Sequence, residues 1–466
     1  MKNSRLALLF NRLNRTELRD LDKFLRSPYF NQREDVVLLY QYMVENKTLT
    51  GQLPDKRRAF GKAYPQQAYQ DSKMRYLMSY LLELIREFLT QQELTAEPLN
   101  KKIHLCRALR RRGLDQPFEK TWKQTQQLLQ QHPLRHPHSH YLHYLHYLER
   151  FKYNSRQRRV GEMHLQELTD ELTIFYIADI LRQSCIILSH QAMDQRDYRL
   201  KMLKPVLQTV EEENFDQVPA IGIYYHSYRA LSELDNRHHF DILKQLIETH
   251  WEQFPPSEIR DIYLLAINYC IKRLNAGTHS YIREAFELYR SGLGKGIMLE
   301  EGWLSYFTYK NVLKLGLELK EFEWIEGYLD EYKKYLHPRD RENYYRYNMA
   351  VYYFSKPDYD QAMQLLQKIE FEDVLHQLDA RRMLLRIYYE RGAFDALDSL
   401  LDSFYAYIHR QRDIGYHKDN FLNLIRLLRK LLRSELSDLT VRADLRQLIE
   451  KTPALAERAW LLDQLH

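Results

Sequence analysis

Asn343 to Asp373 read NYYRYNMAVYYFSKPDYDQAMQLLQKIEFED, and this stretch decides the fold. Ala350 and Tyr353 lie on a first helix, Asp358-Tyr359-Asp360-Gln361-Ala362 form a turn, and Leu366 and Ile369 lie on a second helix. Neighbouring stretches repeat the plan. The unit after it uses Tyr388, Gly392-Ala393-Phe394 and Leu397; the one before uses Leu313, Phe322, Ile325 and Tyr332; an earlier one uses Leu231, Phe240, Leu243 and Pro255. Matching positions fall at Leu243, Ala285, Ile325, Ala362 and Leu397. Such recurrence predicts stacked helix pairs: 221–234 with 239–253, 258–275 with 279–291, 303–319 with 321–335, 341–355 with 358–369, and 374–391 with 393–410.

Composition agrees. The 466 residues include only 14 Gly and 14 Pro, too few for the many turns of an all-β fold or for a disordered chain. Leu and Tyr (36) abound while Val is scarce, which disfavours a large parallel sheet. The expected class is all-α: an α-solenoid of antiparallel helix pairs with an N-terminal helical domain (1–95), irregular helix pairs (96–218), regular repeats (219–410) and a C-terminal helical cap (411–466).

The N-terminal segment predicts a helix after a Thr16 cap, with Leu18, Leu21, Phe24 and Leu25 apolar, ending at Ser27-Pro28. Further helices are expected at 33–45 and 71–92, the latter burying Met74, Leu77, Met78, Leu81, Leu82, Ile85, Phe88 and Leu89. Helices 98–112, 115–131 and 138–152 and an apolar segment 162–192 follow. At the C-terminus, helix 419–433 sets Arg426, Arg429, Lys430 and Arg433 opposite its leucines. Thr452-Pro453 are expected to open the last helix.

The stretch 343–373 resembles the tetratricopeptide repeat, whose small and aromatic positions let two antiparallel helices pack closely. The resemblance covers roughly 220–410, at intervals of 42, 40, 37 and 35 residues, longer than the family's 34. It implies that the first helix of each pair lines a concave surface. Laid on this chain, the inward positions are Phe307, Lys310 and Lys314, then Tyr344, Tyr347 and Val351, then Asp379, Arg382 and Arg386, a basic and aromatic groove suited to a peptide with acidic and apolar side chains. The groove lacks the asparagines of the family's carboxylate-clamp version. Lys23-Phe24-Leu25-Arg26-Ser27-Pro28-Tyr29-Phe30-Asn31 together with Trp460-Leu461-Leu462 also resemble an uncharacterised bacterial family of helical-repeat proteins, which implies a fold and no chemistry.

The net charge of +6 is unevenly spread. Residues 101–160 hold 14 Lys/Arg against 3 Asp/Glu. Arg107, Arg110, Arg111 and Arg112 close one helix, and Lys120, Lys123, Arg135, Arg150, Lys152, Arg156, Arg158 and Arg159 extend the patch. Helix-end complementarity explains part of it. Convergence on one surface would instead suit an acidic protein or a nucleic-acid backbone.

Catalytic motifs are mostly missing from the sequence. Gly292-Leu293-Gly294-Lys295-Gly296 lacks the strand and third glycine of a nucleotide loop and reads as a turn between repeats. His132, His136, His138, His140, His143 and His146 read as a solvated or groove-lining face, because thiolates and carboxylates that would complete a metal site are scarce nearby. Cys106, Cys185 and Cys270 are too few and too far apart for a disulfide framework. Leu6 to Phe10 is too short an apolar run for a signal peptide, and no run approaches eighteen apolar residues. The expectation is a cytoplasmic, non-enzymatic interaction protein that binds a protein or peptide, with no cofactor, metal or membrane. The alternative is a nucleic-acid-binding regulator that uses 101–160 or the N-terminal domain.

Overall fold

A computed structural model describes residues 1, 4–157, 161–191, 196, 198–368, 374–411, 415, 417–435 and 437–465. Among the described residues the regular structure is helical apart from one short hairpin, with turns and loops between the helices. It divides into two units, 1–133 with 137–176, and 134–136 with 177–466.

In the first unit, α1 (Arg5–Arg12), α2 (Arg15–Arg26), α3 (Glu34–Thr50), α4 (Lys56–Ala63) and α5 (Asp71–Ala96) share one core. Leu6, Ala7 and Phe10 form the buried face of α1. The cap of α2 lies two residues earlier than periodicity suggests. Asn14 Oδ1 accepts from the Glu17 N–H at 3.0 Å, and Glu17 Oε2 accepts from the Asn14 N–H at 2.7 Å, a reciprocal capping box that leaves Thr16 inside the helix. α2 stops at Ser27, as expected before Pro28. Asn31 then closes the loop. Its buried amide donates to the Leu25 and Arg33 carbonyls at 2.8 and 2.9 Å and accepts from the Arg33 N–H at 3.0 Å. α5 buries the expected Met74, Leu77, Met78, Leu81, Ile85 and Phe88, and also Leu84, while Leu82 and Leu89 are half-buried at the edge of its stripe. α6 (Pro98–Arg111), α7 (Asp115–Gln131) and α8 (Pro137–Gln157) pack on one another beyond it.

α9 (Leu165–Gln191) corrects one expectation: by length and composition it is apolar enough to cross a membrane. A search for unbroken apolar runs misses it because scattered polar residues interrupt the sequence. Its second half nevertheless buries Ile177, Ala178, Leu181 and Cys185 against protein.

The second unit begins regularly after α10 (Leu203–Glu212). Consecutive helices α11 (Pro219–Ser232) and α12 (Arg237–His250), α13 (Pro256–Asn275) and α14 (Tyr281–Gly294), α15 (Tyr306–Glu318) and α16 (Phe322–Tyr332), α17 (Arg341–Ser355) and α18 (Tyr359–Leu366), and α19 (Val374–Glu390) and α20 (Phe394–Arg410) pair across short connections. This is the expected array, with Ile369 and Asp373 of the deciding stretch outside the described residues. Asp358 caps α18 by accepting from the Gln361 N–H. α14 runs through Gly292 and Gly294. A small antiparallel hairpin, Leu299 opposite Leu304 and Glu300 opposite Trp303, then delays α15 to Tyr306, three residues later than expected.

α21 (His417–Arg433), α22 (Leu439–Lys451) and α23 (Arg458–Asp463) share a core with α20 and with Leu378 and Leu385 of α19. Thr452 does not open the last helix. Its hydroxyl turns back to the Leu448 carbonyl at 2.7 Å and so ends α22. α23 starts instead after Glu457, whose backbone is left-handed at φ 55°.

Close approach depends on small residues. A Cβ on Gly222 of α11 would sit 2.2 Å from the Asp216 carbonyl oxygen, and one on Gly316 of α15 would sit 2.3 Å from Ile325 Cδ1. The first neighbour is backbone and cannot rotate away. Gly222→Ala is therefore expected to lower stability by about 1–3 kcal/mol despite its better helix propensity. Urea unfolding that shows no loss, or a gain, contradicts this contact.

Candidate functional site

Three first helices, α15, α17 and α19, line a cavity of about 720 Å³. Of the expected groove residues, Lys310, Lys314, Tyr347, Val351, Asp379 and Arg382 all line it. Helical geometry explains why, since positions three and four apart on one helix share a face. Asn348 lines the cavity too, although the groove was expected to lack asparagines. It is the missing member of the stripe 344, 347, 348 and 351. Fully buried, it donates through Nδ2 to the Tyr344 carbonyl at 2.7 Å and leaves Oδ1 with no donor among the described residues. Such an orphan acceptor is costly unless something supplies a donor. Phe354 and Lys320 complete the apolar and basic parts of the lining.

The remaining groove residues lie elsewhere. Phe307 is 75% exposed and outside the lining. Tyr344 stacks on Tyr306 at 3.7 Å between ring centres. Arg386 packs beside Phe354 and Trp460.

The charges on α19 are already engaged. Tyr347 donates to Asp379, Asp379 accepts from Arg382 Nε at 2.7 Å, and Arg382 and Arg386 both bond Glu457 from the loop before α23. Burial pushes the Asp379 carboxyl up, but the Arg382 charge and the two hydrogen bonds hold it below its ordinary value. Burial likewise opposes the Arg382 charge, and Asp379 and Glu457 outweigh it, raising its pKa. Lys310, Lys314 and Lys320 are exposed at the rim and make no ion pair among the described residues, although the Lys310 charge also helps to hold Asp379 down.

In the basic segment, Glu149 of α8 is buried and accepts from Arg107 Nε at 2.7 Å and Arg110 Nε at 2.8 Å. Arg150 bonds Glu119 at 2.7 Å and lies over the Trp122 ring at 4.7 Å. These three arginines hold α6, α7 and α8 together. Arg111, Arg112, Lys120, Lys123, Lys152 and Arg156 are exposed, while Arg158 and Arg159 lie outside the described residues.

Half of the histidine run packs inside the protein, while His138 is exposed and His132 and His143 are half-buried. His136, His140 and His146 are buried. His136 meets Glu258 at 2.8 Å, His140 meets Glu171 at 2.7 Å, and His146 stacks on Trp122 at 4.5 Å. Their carboxylates come from distant sequence, which is why local spacing does not find them. Among the described residues one trio of possible metal ligands converges, Glu162, His164 and Glu167, in which His164 Nδ1 already bonds Glu167 at 3.0 Å and lies 3.8 Å from Glu162.

No family model and no curated protein matches the sequence. A solved structure described as the crystal structure of the APC/C hetero-tetramer Cut9-Hcn1 aligns over 100% of this chain and 97% of that chain, at 11% identity and a TM-score of 0.28. A likeness at that score bears no weight. The helix-pair fold rests on the contacts described above.

Burial lowers the His146 pKa to about 3, with the nearby His143, Arg150 and His164 charges adding to the effect. The folded state therefore keeps the ring neutral where the unfolded chain, near 6.5, takes a proton. Stability is complete above about pH 6.5 and falls as pH drops toward 3. Between pH 7 and 5 this histidine is expected to contribute a loss of about 2 kcal/mol. His146→Phe, which keeps the stacking, should remove that slope in urea melts; an unchanged slope contradicts a neutral, buried His146.

Proposed function

We propose that this is a non-enzymatic interaction protein whose α15–α17–α19 cavity takes a segment of a partner protein bearing acidic and apolar side chains. The observation that carries this reading is the lining itself: exposed lysines at the rim and apolar walls from Leu313, Val351, Phe354 and Met383. The lysines suit carboxylates and the walls suit apolar side chains. Arg382 and Arg386 anchor Glu457 and so serve the C-terminal region in the unbound chain. Segment 411–466 is read as the cap that closes the repeat array.

Buried, unpaired Cys106, Cys185 and Cys270 support assignment to the reducing cytoplasm. The nucleic-acid alternative is weakened because Arg107, Arg110 and Arg150 are spent on internal carboxylates.

The experiment compares proteins retained from native lysate by the full chain and by Lys310→Glu with Lys314→Glu. Both side chains are exposed, so the variant is expected to fold. It should lose at least about tenfold in recovery of the specific partner, with the wild-type interaction weakening as salt rises. Full retention of every specific partner by the variant refutes this site.

A further inference from the structure

A second basic groove, outside the cavity above, lies between α20 and α21, with a volume of about 810 Å³. Arg426, Arg429, Lys430 and Arg433 line it from one side. At 100° and 1.5 Å per residue these four fall within an arc of about 100° and span about 10 Å along α21. Their neutralisation inside the protein is slight. Arg429 bonds Asp402, which is 82% exposed, and Arg426 Nη2 donates to the neutral Asn423 at 3.2 Å. Arg426, Lys430 and Arg433 pair with no carboxylate among the described residues.

The groove is not purely charged. Ile425 is buried in its floor, Leu422 is half-buried, and Tyr405 on the α20 side is 45% exposed with Arg429 at 5.8 Å from its ring centre. A ligand that matches it must set several negative charges about one helical turn apart and also present apolar groups between them. A nucleic-acid backbone supplies charge but leaves Leu422 and Tyr405 facing phosphate. A helix with acids at i, i+3, i+4 and i+7 and apolar residues beside them supplies both at the required spacing.

We propose that the α20–α21 face is a second docking site, distinct from the α15–α17–α19 cavity, and that its occupant is an acidic amphipathic helix of a partner protein. Apolar side chains of that helix cover Leu422 and Tyr405, and its carboxylates meet Arg426, Lys430 and Arg433.

The test titrates the full chain with three fluorescein-labelled probes: a helical peptide with Glu at i, i+3, i+4 and i+7 and Leu on the adjoining positions, a scrambled peptide of the same composition, and a single-stranded oligonucleotide. The patterned peptide is expected to bind at least about tenfold tighter than either other probe. Arg426→Ala with Arg433→Ala should lower its affinity by at least about tenfold. These side chains are exposed, so the variant should keep the wild-type thermal melt, and its loss of peptide affinity should persist when Lys310→Glu and Lys314→Glu are already in place, which separates this site from the cavity. Equal binding of the scrambled peptide, tighter binding of the oligonucleotide, no peptide binding, or no effect of the arginine variant overturns the proposal. So does self-association of the chain that the arginine variant abolishes, because the occupant would then be a second copy.

Discussion

Several tyrosines buried between helices direct the hydroxyl to an acceptor on a neighbouring element, and these bonds help to organise the helix pairs, although buried Tyr328 has no hydroxyl partner among the described residues. In the first unit, Tyr40 of α3 donates to the Leu18 carbonyl of α2. In the second, Tyr269 of α13 reaches the Leu234 carbonyl beyond α11 at 3.2 Å, and Tyr309 of α15 reaches the Leu329 carbonyl of α16 at 2.7 Å. Tyr224 of α11 bonds Glu258 of α13 at 2.6 Å, and Tyr352 of α17 bonds Glu326 of α16 at 2.9 Å. Each ring contributes apolar burial, while its hydroxyl fixes which neighbour it faces. At these five positions tyrosine couples spacing and register in one side chain.

The same device shapes the cavity. Tyr347 packs with Ala350, Ala362 and Ile387 and directs its hydroxyl to Asp379, which in turn holds Arg382. Arg382 and Arg386 then take Glu457, tying the C-terminal loop to α19. This chain fixes one wall and removes the arginines from the free charge, leaving Lys310 and Lys314 to face solvent. Helix packing and the charge pattern of the cavity therefore share one cause.

Much of this was legible in local pattern. The bounds 341–355 for α17 follow from periodicity and turn chemistry, and Lys310, Tyr347 and Arg382 converge because first helices of successive pairs align. Features decided by distant partners were not legible. Glu457 lies 75 residues from Arg382, and Glu149 lies 39 residues from Arg110, so no helical spacing predicts either pair. The histidine run had the same difficulty: His140 finds Glu171 on another helix. Asn348 was within reach of sequence alone, one step beyond Tyr347 on the same face. The α2 cap was misplaced because Asn14 competes with Thr16 for the same role, and geometry favours Asn14.

Site-specific photo-cross-linking tests most directly whether the α15–α17–α19 face is where a partner sits. A photoreactive residue is placed at Lys314 on the cavity rim and, separately, at the exposed Glu323 on α16. The account predicts cross-links from position 314 to an acid-rich segment of a partner, and none to that segment from 323. The same proteins captured from both positions, or capture from 323 alone, would contradict it.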